Sequence, residues 1–267
     1  MQDKKIFDLL TKEYTLKLVI TKQDIEFLKE VRTKVLLPAY EKHTHIEDID
    51  KFLYNQDDKQ SFIYILIHNE TQKPVGTIRM FFINDKSPIK QLPMQMYGGV
   101  DDIDEYTKHK PICEISRLAL IKDLPKHQTL SALSLRTSLT MGLFVALGIN
   151  IFLYPYQYIF SIMEPALFRI IRKHGVLFDP IGKSVDYFGP RIPHAIQRDT
   201  LIYKSKPIIG YITLYYLKNL ALNPNEFIEY INNHPYIDKD DILINKLIEI
   251  INNNPDITVD GLLETTS

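Results

Sequence analysis

The sequence of 267 residues predicts an α/β domain of alternating strands and helices, followed by a helical segment. Residues 112–121 form an almost continuous apolar run, which is typical of a strand covered on both faces. Residues 61–70 and 74–84 are strand-like with a short polar connection, which predicts a hairpin. From residue 211 onward only helical patterns broken by Asn and Pro remain. We therefore expect a domain over residues 1–205 and a helical extension over residues 206–267.

The first elements are a strand, a helix and a polar loop. Residues 14–20 alternate between apolar and polar side chains, which predicts a strand. Thr21 is expected to cap a helix with one apolar face, and Pro38 to end or kink it. Residues 41–60 are acidic and polar. We interpret them as a solvated loop with a short helix, because their histidines and aspartates find no matching metal ligands elsewhere.

A long connection, a strand and a second long helix follow the hairpin. Residues 85–110 are interpreted as a functional cover or a disordered insertion. After the central apolar strand, a loop leads to a helix that Thr129 or Ser131 caps and that is expected to end near Gly148. The remaining predicted elements are a strand at 150–156, a short helix at 164–175 closed by Gly175, and strand-like segments within 176–204.

The segment between Arg136 and Glu164 contains no charged residue and is long enough to cross a bilayer. A Gly-Ile-Asn sequence at 148–150 interrupts it, and a β-branched and aromatic stretch that contains Pro155 follows. We therefore expect a buried helix, a turn and a buried strand, with a transmembrane helix as the alternative.

Composition narrows the classes of function. The net charge of −1 indicates neither nucleic-acid binding nor a membrane surface, although residues 211–267 hold nine Asp/Glu against three Lys/Arg. The single cysteine, Cys113, excludes an internal disulfide and a multi-cysteine metal site, and its apolar neighbours favour a buried small hydrophobe. The first 14 residues carry charges throughout and lack the apolar core of a secretory signal. We expect a cytoplasmic protein without a bound metal.

Two charged side chains interrupt the apolar run of the central strand. Glu114 and Arg117 are costly to desolvate unless they are paired or used, which makes them the leading candidates for a functional site. The alternative is a structural ion pair at a sheet end. Arg79 lies among apolar residues of the preceding strand and either snorkels from the sheet or is directed into a cleft. Arg32 lies beside the apolar face of the first helix.

The order of elements and four motifs resemble the GNAT acyltransferases. GTIRMFF, EISRLALIKD, PALFRIIRKHG and YFGPRIPH are similar to the branch that contains acyl-homoserine lactone (AHL) synthases and N-acyl amino acid synthases. The similarity covers roughly residues 14–204. It implies a GNAT-like mixed, twisted sheet of about seven strands flanked by helices, to which the C-terminal helical segment is appended.

The resemblance implies a bacterial enzyme that moves a fatty acyl group from the thioester of acyl carrier protein, or of coenzyme A, to an amine without an acyl-enzyme. Glu114 is then the general base that accepts the proton of the amine, directly or through a water. Backbone N–H groups freed by a bulge in the central strand stabilise the thioester oxygen. The resemblance implies no permanently bound cofactor, and its expected partners are acyl carrier protein and a small amine acceptor.

The site residues implied by the resemblance fall into several sets. The catalytic set is Glu114 and Arg117. The acceptor-binding set is Arg32, Arg79, Tyr187 and Arg191, with Arg117 able to join a carboxylate clamp. The thioester and phosphopantetheine set is Leu118, Leu120, Lys126, Thr129 and Ser131. The acyl slot is expected among Met141, Leu143, Phe144, Val145, Ile151, Leu153 and Tyr156, with ordinary core packing as the alternative. A basic surface for the carrier is expected from Lys122, Lys126, His127, Arg136, Arg169, Arg172 and Lys173, with ordinary exposed cations as the alternative.

Two departures from the family pattern bear on the substrates. The loop KDLPKHQTLSA contains no glycine, whereas the pyrophosphate loop of coenzyme-A-dependent relatives has spaced glycines, and this favours a carrier-protein donor. Lactone synthases carry a tryptophan near the S-adenosylmethionine pocket, and this chain has none, which favours an amino-acid acceptor. The alternatives are an AHL synthase that uses S-adenosylmethionine and a non-catalytic acyl-carrier or lipid-binding module. A membrane association is expected only through the product.

Overall fold

The computed structural model describes residues 9–97, 100, 103–108, 111–153, 156–198 and 200–201. Its strands are Tyr14–Leu18 (β1), Ser61–His68 (β2), Lys73–Ile83 (β3), Ile112–Leu120 (β4), Tyr158–Met163 (β5), Asp179–Pro180 (β6), Val185–Asp186 (β7) and Pro190–Gln197 (β8). They form an eight-stranded sheet in the order β1-β2-β3-β4-β5-β8-β6, with β7 paired to β8. The β4–β5 pair is parallel and the other pairs are antiparallel. The predicted mixed sheet flanked by helices is confirmed.

The helices are Lys22–Glu41 (α1), Ile49–Leu53 (α2), Gln56–Lys59 (α3), Ile103–Thr107 (α4), Ala132–Leu153 (α5) and Pro165–Lys173 (α6). A π-helical turn spans Leu9–Glu13 and a 3-10 helix spans Pro93–Tyr97. Thr21 forms a capping box with Asp24 at the start of α1, as the sequence predicts for this cap. Pro38 lies inside α1 and does not end it, because it and Lys34 are exposed and water can bind the carbonyl that loses its N–H donor.

Helices cover both faces of the sheet. Buried residues of α5 and α6 pack with Phe62, Tyr64 and Leu66 of β2. Leu28 of α1 packs with Ile63, Ile65 and Ile67 from the opposite face of the same strand. Because side chains alternate between the faces of a strand, α1 lies on one face and α5 and α6 on the other.

Part of the long connection before β4 also covers the α1 face. Leu92 and Met94 pack with Phe81, Ile83 and Ile112 in a separate apolar cluster. The described part of residues 85–110 is therefore packed over the start of β4 and is not a disordered insertion, while its role as a functional cover stays a prediction.

The predicted end of α5 at Gly148 and the predicted strand at 150–156 are wrong. The helix continues to Leu153, and the strand begins at Tyr158. Leu147 and Ile151 are buried on either side of the glycine, and this burial offsets the roughly 1 kcal/mol that a glycine costs inside a helix. Among the described residues, no helix combines the length and the apolar character needed to cross a bilayer.

The end of the domain shows one agreement and one difference. Gly175 follows α6 with a φ of 87°, as its predicted capping role requires. Arg198, Thr200 and Leu201 are helical, although residues 198–204 are predicted as strand-like. The predicted helical extension over residues 206–267 lies outside the described residues.

Candidate active site

A β-bulge interrupts the pairing of β4 with β3. Thr77 pairs with Ala119 and Arg79 pairs with Ser116, so Arg117 and Leu118 together lie opposite one residue of β3. Arg117 has a φ of 56°, which is uncommon for a residue with a side chain. The bulge predicted in the central strand is therefore present, and such an irregularity turns a side chain and leaves backbone groups unpaired.

The bulge brings Arg117 to the α1 face of the sheet. Its Nη1 donates a hydrogen bond of 3.1 Å to the carbonyl of Phe52 in α2. Its guanidinium lies 4.8 Å from the centre of the Phe52 ring and 5.9 Å from that of Tyr40 in α1. Within the described chain, no carboxylate lies within 4.0 Å of Arg117, so its guanidinium keeps donors for an anionic ligand.

The strands β4 and β5 separate next to the bulge. Their pairing runs from Ile112 opposite Tyr158 to Ile115 opposite Ser161, and the Ser161 hydroxyl donates to the Ile115 carbonyl at 2.9 Å. Beyond this point a cavity of about 380 Å³ lies between the two strands. Its lining comprises Val35, Leu36, Ala39, Tyr40, Ile115, Ser116, Arg117, Leu118, Ala119, Leu120, Leu133, Arg136, Thr137, Thr140, Phe144, Ser161, Ile162, Glu164, Ala166, Leu167, Ile170 and Arg191.

The cavity crosses the sheet. Residues of α1 line it from one face, and residues of α5 and α6 line it from the other. Because these helices lie on opposite faces, a ligand between β4 and β5 is reachable from both sides of the sheet. The unpaired edge of β4, including the bulge, forms the wall between them.

Four lining residues are charged, namely Arg117, Arg136, Arg191 and Glu164. Arg136 donates to the two carbonyls that directly follow β4, at 2.8 Å for Ile121 and 3.0 Å for Lys122. Arg191 binds Glu164, with 2.9 Å between Nη2 and Oε1. Three cations against one carboxylate make the cavity favourable for an anionic group.

Tyr187 lies in the turn between β7 and β8 and contacts both Arg191 of β8 and Tyr40 of α1. Its carbonyl accepts a hydrogen bond of 2.7 Å from Arg191 Nε, and its hydroxyl lies 3.3 Å from that of Tyr40. The neighbouring Phe188 stacks on the Tyr40 ring with 3.8 Å between ring centres. Tyr187 and Arg191 thus lie near Arg117 at the α1 side of the cavity, and their role in binding an acceptor stays a prediction.

Arg32 and Arg79 share a buried carboxylate, Asp58. Arg32 Nη1 and Nη2 donate to the two oxygens of Asp58 at 2.7 and 2.9 Å, and Arg79 Nη1 lies 3.4 Å from Oδ1. Arg79 Nε also donates to the Ser116 hydroxyl at 3.1 Å. Neither arginine lines the cavity, and both guanidinium groups already have a carboxylate partner.

The interpretation of residues 41–60 as a solvated loop with a short helix is correct in its helix, since α2 and α3 lie here, but wrong for Asp58, which is buried. Burial raises its pKa, but the guanidiniums of Arg32 and Arg79 outweigh burial and lower the pKa to about 2. One local signal pointed to an ordered segment here. Asn55 and Asp58 have the spacing of a capping box, which the structure contains at the start of α3.

Glu114 is buried on the same face of β4 as Ser116. The Met94 N–H donates to its Oε2 at 2.8 Å. Burial raises the pKa of Glu114 to about 7, against the opposing effects of the Met94 N–H and Arg79. Glu114 is not a lining residue, but Ser116, about 7 Å further along the same face, lies on the cavity wall.

The predicted thioester contacts divide between the cavity and the surface. Leu118 and Leu120 line the cavity, whereas Lys126 and Thr129 lie exposed on the loop before α5. Ser131 caps α5 by accepting a hydrogen bond of 3.2 Å from the Ser134 N–H.

The predicted acyl-slot residues also divide. Phe144 lines the cavity, whereas Met141, Leu143, Ile151 and Tyr156 are buried in the main core. The side chains of Val145 and Leu153 lie outside the described part of the chain.

Comparison of the chain with protein-family models and with curated proteins gives no match. Among solved structures, it is similar to FeeM, an N-acyl amino acid synthase from uncultured soil microbes, at 15% identity and a TM-score of 0.47 over 73% of this chain and 96% of that chain. It is similar to the AHL synthase LasI at 11% identity and a TM-score of 0.47 over 72% and 95% of the two chains. It is also similar to TofI in a ternary complex with an inhibitor and MTA, at 14% identity and a TM-score of 0.48 over 74% and 96%.

Proposed function

We propose that the protein is an N-acyltransferase that moves a fatty acyl group from a carrier-protein or coenzyme A thioester to the amine of an amino acid or a similar small acceptor. The observation that carries this proposal is the cavity that crosses the sheet beside the bulge in β4. Two substrates can approach such a cavity from opposite faces and meet at unpaired backbone groups. A thioester and an amine need this arrangement for direct transfer.

The α5–α6 side of the cavity suits the acyl donor. Leu118, Leu120, Phe144, Leu167 and Ile170 give it an apolar lining for an acyl chain. The loop before α5 contains no glycine, which favours the single phosphate of a carrier-protein arm over the pyrophosphate of coenzyme A.

The α1 side suits a small acceptor that carries a carboxylate. Arg117 lines the cavity there without a described carboxylate partner, and its planar guanidinium matches a carboxylate in a two-point contact. Tyr187 and Arg191 complete this side. We assign Arg32 and Arg79 to a positioning role, because both bind Asp58 and thereby join α1 and β3 to α3.

The reaction is a nucleophilic addition followed by elimination. The neutral amine nitrogen forms a bond to the thioester carbon, and the carbonyl oxygen gains negative charge that N–H groups of the β4 bulge stabilise. The carbon–sulfur bond then breaks, the amide carbonyl reforms, and the thiolate leaves and takes up a proton. The amine loses one proton before attack and one after addition.

Glu114 is the proposed acceptor of a proton from the amine. A pKa of about 7 leaves a substantial fraction of this carboxylate ionised at neutral pH, while it remains basic enough to take a proton. Because Glu114 does not line the cavity, the proton travels through a water at Ser116, which lies on the same strand face and on the cavity wall.

Thiol release tests this function directly. Acyl carrier protein or coenzyme A bearing a fatty acyl group is mixed with the full chain and single amino acids, and the free thiol and the N-acyl product are measured together. The proposal predicts equal amounts of both and a loss of activity in Glu114→Gln. Thiol release coupled to methylthioadenosine formation from S-adenosylmethionine instead identifies a lactone synthase. Binding of the acyl donor without thiol release from any amine identifies a binding module.

A further inference from the structure

Glu164, at the end of β5, is the only carboxylate among the described residues that line the cavity. Its side chain is 56% exposed, so a ligand in the cavity can reach it. The sequence motifs draw attention to Glu114, which is buried outside the cavity, and not to this accessible carboxylate.

The carboxylate of Glu164 does not cap the helix that it precedes. Glu164 occupies the N-cap of α6, a position that favours the shorter Ser, Thr, Asp and Asn, and its side chain makes no capping hydrogen bond. In the described chain its single partner is Arg191, which binds Oε1 and leaves Oε2 available to a ligand.

A fixed cation holds Glu164 at this place. Arg191 donates to the Tyr187 carbonyl at 2.7 Å, and its guanidinium lies 5.6 Å from the centre of the Tyr187 ring. Through its contact with Tyr40, Tyr187 lies at the α1 side of the cavity together with Arg117. A carboxylate held by Arg191 and a guanidinium without a described carboxylate partner therefore line the same side.

An amino acid carries the complementary pair of charges. Its carboxylate matches Arg117, and its ammonium group matches a carboxylate with an available oxygen. An uncharged amine or an acyl chain would bring no positive charge to the available oxygen of Glu164, whereas an ammonium group would.

We propose that Glu164 binds the ammonium group of the acceptor, so that the site selects acceptors whose amine is charged when it arrives. This inference rests on the proposed acyltransferase function and names a binding residue within it. Arg191 is the positioning residue that keeps the Glu164 carboxylate at the wall. The bound ammonium then gives up its proton along the Glu114 route before it attacks the thioester.

The test compares two acceptors with the full-length protein. One is the amino acid that supports the fastest thiol release, and the other is O-methylhydroxylamine, whose nitrogen is a nucleophile but is uncharged at neutral pH. KM and kcat for both are measured in the wild type, in Glu164→Gln and in Glu164→Asp, which keeps the charge. Glu30→Gln is the matched control, because Glu30 also pairs with a cation but does not line the cavity.

Loss of one charge-assisted hydrogen bond is expected to raise the KM of the amino acid by about tenfold or more in Glu164→Gln. The KM of O-methylhydroxylamine is expected to change by less than about twofold, since this acceptor has no ammonium group for Glu164 to bind. The KM of the amino acid in Glu164→Asp is expected to lie between its values in Glu164→Gln and in the wild type. Glu30→Gln is expected to behave as the wild type with both acceptors.

Equal losses with both acceptors would show a structural role for Glu164 and overturn the inference. Wild-type values in Glu164→Gln would overturn it as well, while leaving the acyltransferase function intact. A wild-type protein that releases no thiol with any amine overturns the acyltransferase function, and the inference with it. Activity of the wild type therefore separates the two failures.

Discussion

Asp58 binds both terminal nitrogens of Arg32, at 2.7 and 2.9 Å, and neither side chain is accessible to solvent. A third charged group, Arg79, reaches the same carboxylate from β3. The cluster joins α1, α3 and the sheet directly behind the bulge. Because α1 also lines the cavity, we expect the cluster to help hold the α1 side of the cavity in place.

Replacing Asp58 by Asn is expected to destabilise the protein by about 3–5 kcal/mol, because Arg32 remains buried without its countercharge. Urea unfolding measures the loss. Asp50→Asn is the control: Asp50 is 88% exposed, and its removal is expected to cost less than about 0.5 kcal/mol. A loss below about 1 kcal/mol in Asp58→Asn would contradict the structural importance of the cluster.

The same carboxylate predicts how stability depends on acid. The pKa of Asp58 in the fold is about 2, below its ordinary value, so its contribution is present above pH 4 and is lost as the pH falls from about 4 to 2. The size of this contribution is about 2 kcal/mol. Unfolding free energies measured between pH 6 and pH 2 are expected to fall less steeply in Asp58→Asn than in the wild type. Parallel curves would argue against the lowered pKa.

The pH dependence of the reaction tests Glu114. Its pKa is raised to about 7, so it is protonated and unable to accept a proton below that pH, and becomes competent above it. The value of kcat/KM is expected to rise with an apparent pKa near 7 in the wild type and to lack this limb in Glu114→Gln. Glu105→Gln changes an exposed glutamate and is expected to keep the wild-type profile. If Glu114→Gln keeps both the rise of kcat/KM near pH 7 and the wild-type value of kcat/KM, another group is the base.

Two substitutions at Arg117 distinguish the effect of its backbone conformation on stability from the effect of its guanidinium on acceptor binding. Glycine adopts the φ of 56° without strain, whereas alanine does not, so Arg117→Gly is expected to be more stable than Arg117→Ala by about 1 kcal/mol. Both remove the guanidinium, and both are therefore expected to raise the KM for a carboxylate-bearing acceptor by a similar factor. Thermal unfolding and acceptor titration measure the two effects. If the KM values of the two variants differed by a factor that corresponds to their difference in unfolding free energy, the backbone and not the guanidinium would bind the acceptor.

The elements that could be predicted are those whose pattern is local. The hairpin of β2 and β3, the Thr21 cap and the Gly175 cap depend on residues that are near one another in sequence. The end of α5 could not be predicted in this way. Gly148 is a helix stop in isolation, and only the burial of its neighbours against the sheet keeps the helix intact.

The candidate site divides along the same line. Glu114 and Arg117 attract attention because charges interrupt an apolar run, and that signal is local. Asp58 lies 26 residues from Arg32, and the spacing of Asn55 and Asp58 indicates the start of a helix but not that Asp58 is buried. For Glu164 the sequence predicts only the start of a helix, because its place on the cavity wall depends on the separation of β4 from β5.

If the protein is the proposed acyltransferase, the gap between β4 and β5 also bears on how its product would leave. Joining a chain that entered from one face to a head group that entered from the other leaves a single molecule threaded through the sheet. Its charged head group, held at the α1 side, is poorly suited to pass an apolar wall, so we expect departure head first on that side, with the tail drawn out behind it. We expect longer tails to leave more slowly, so that turnover would then be limited by release of the product and not by formation of the amide bond.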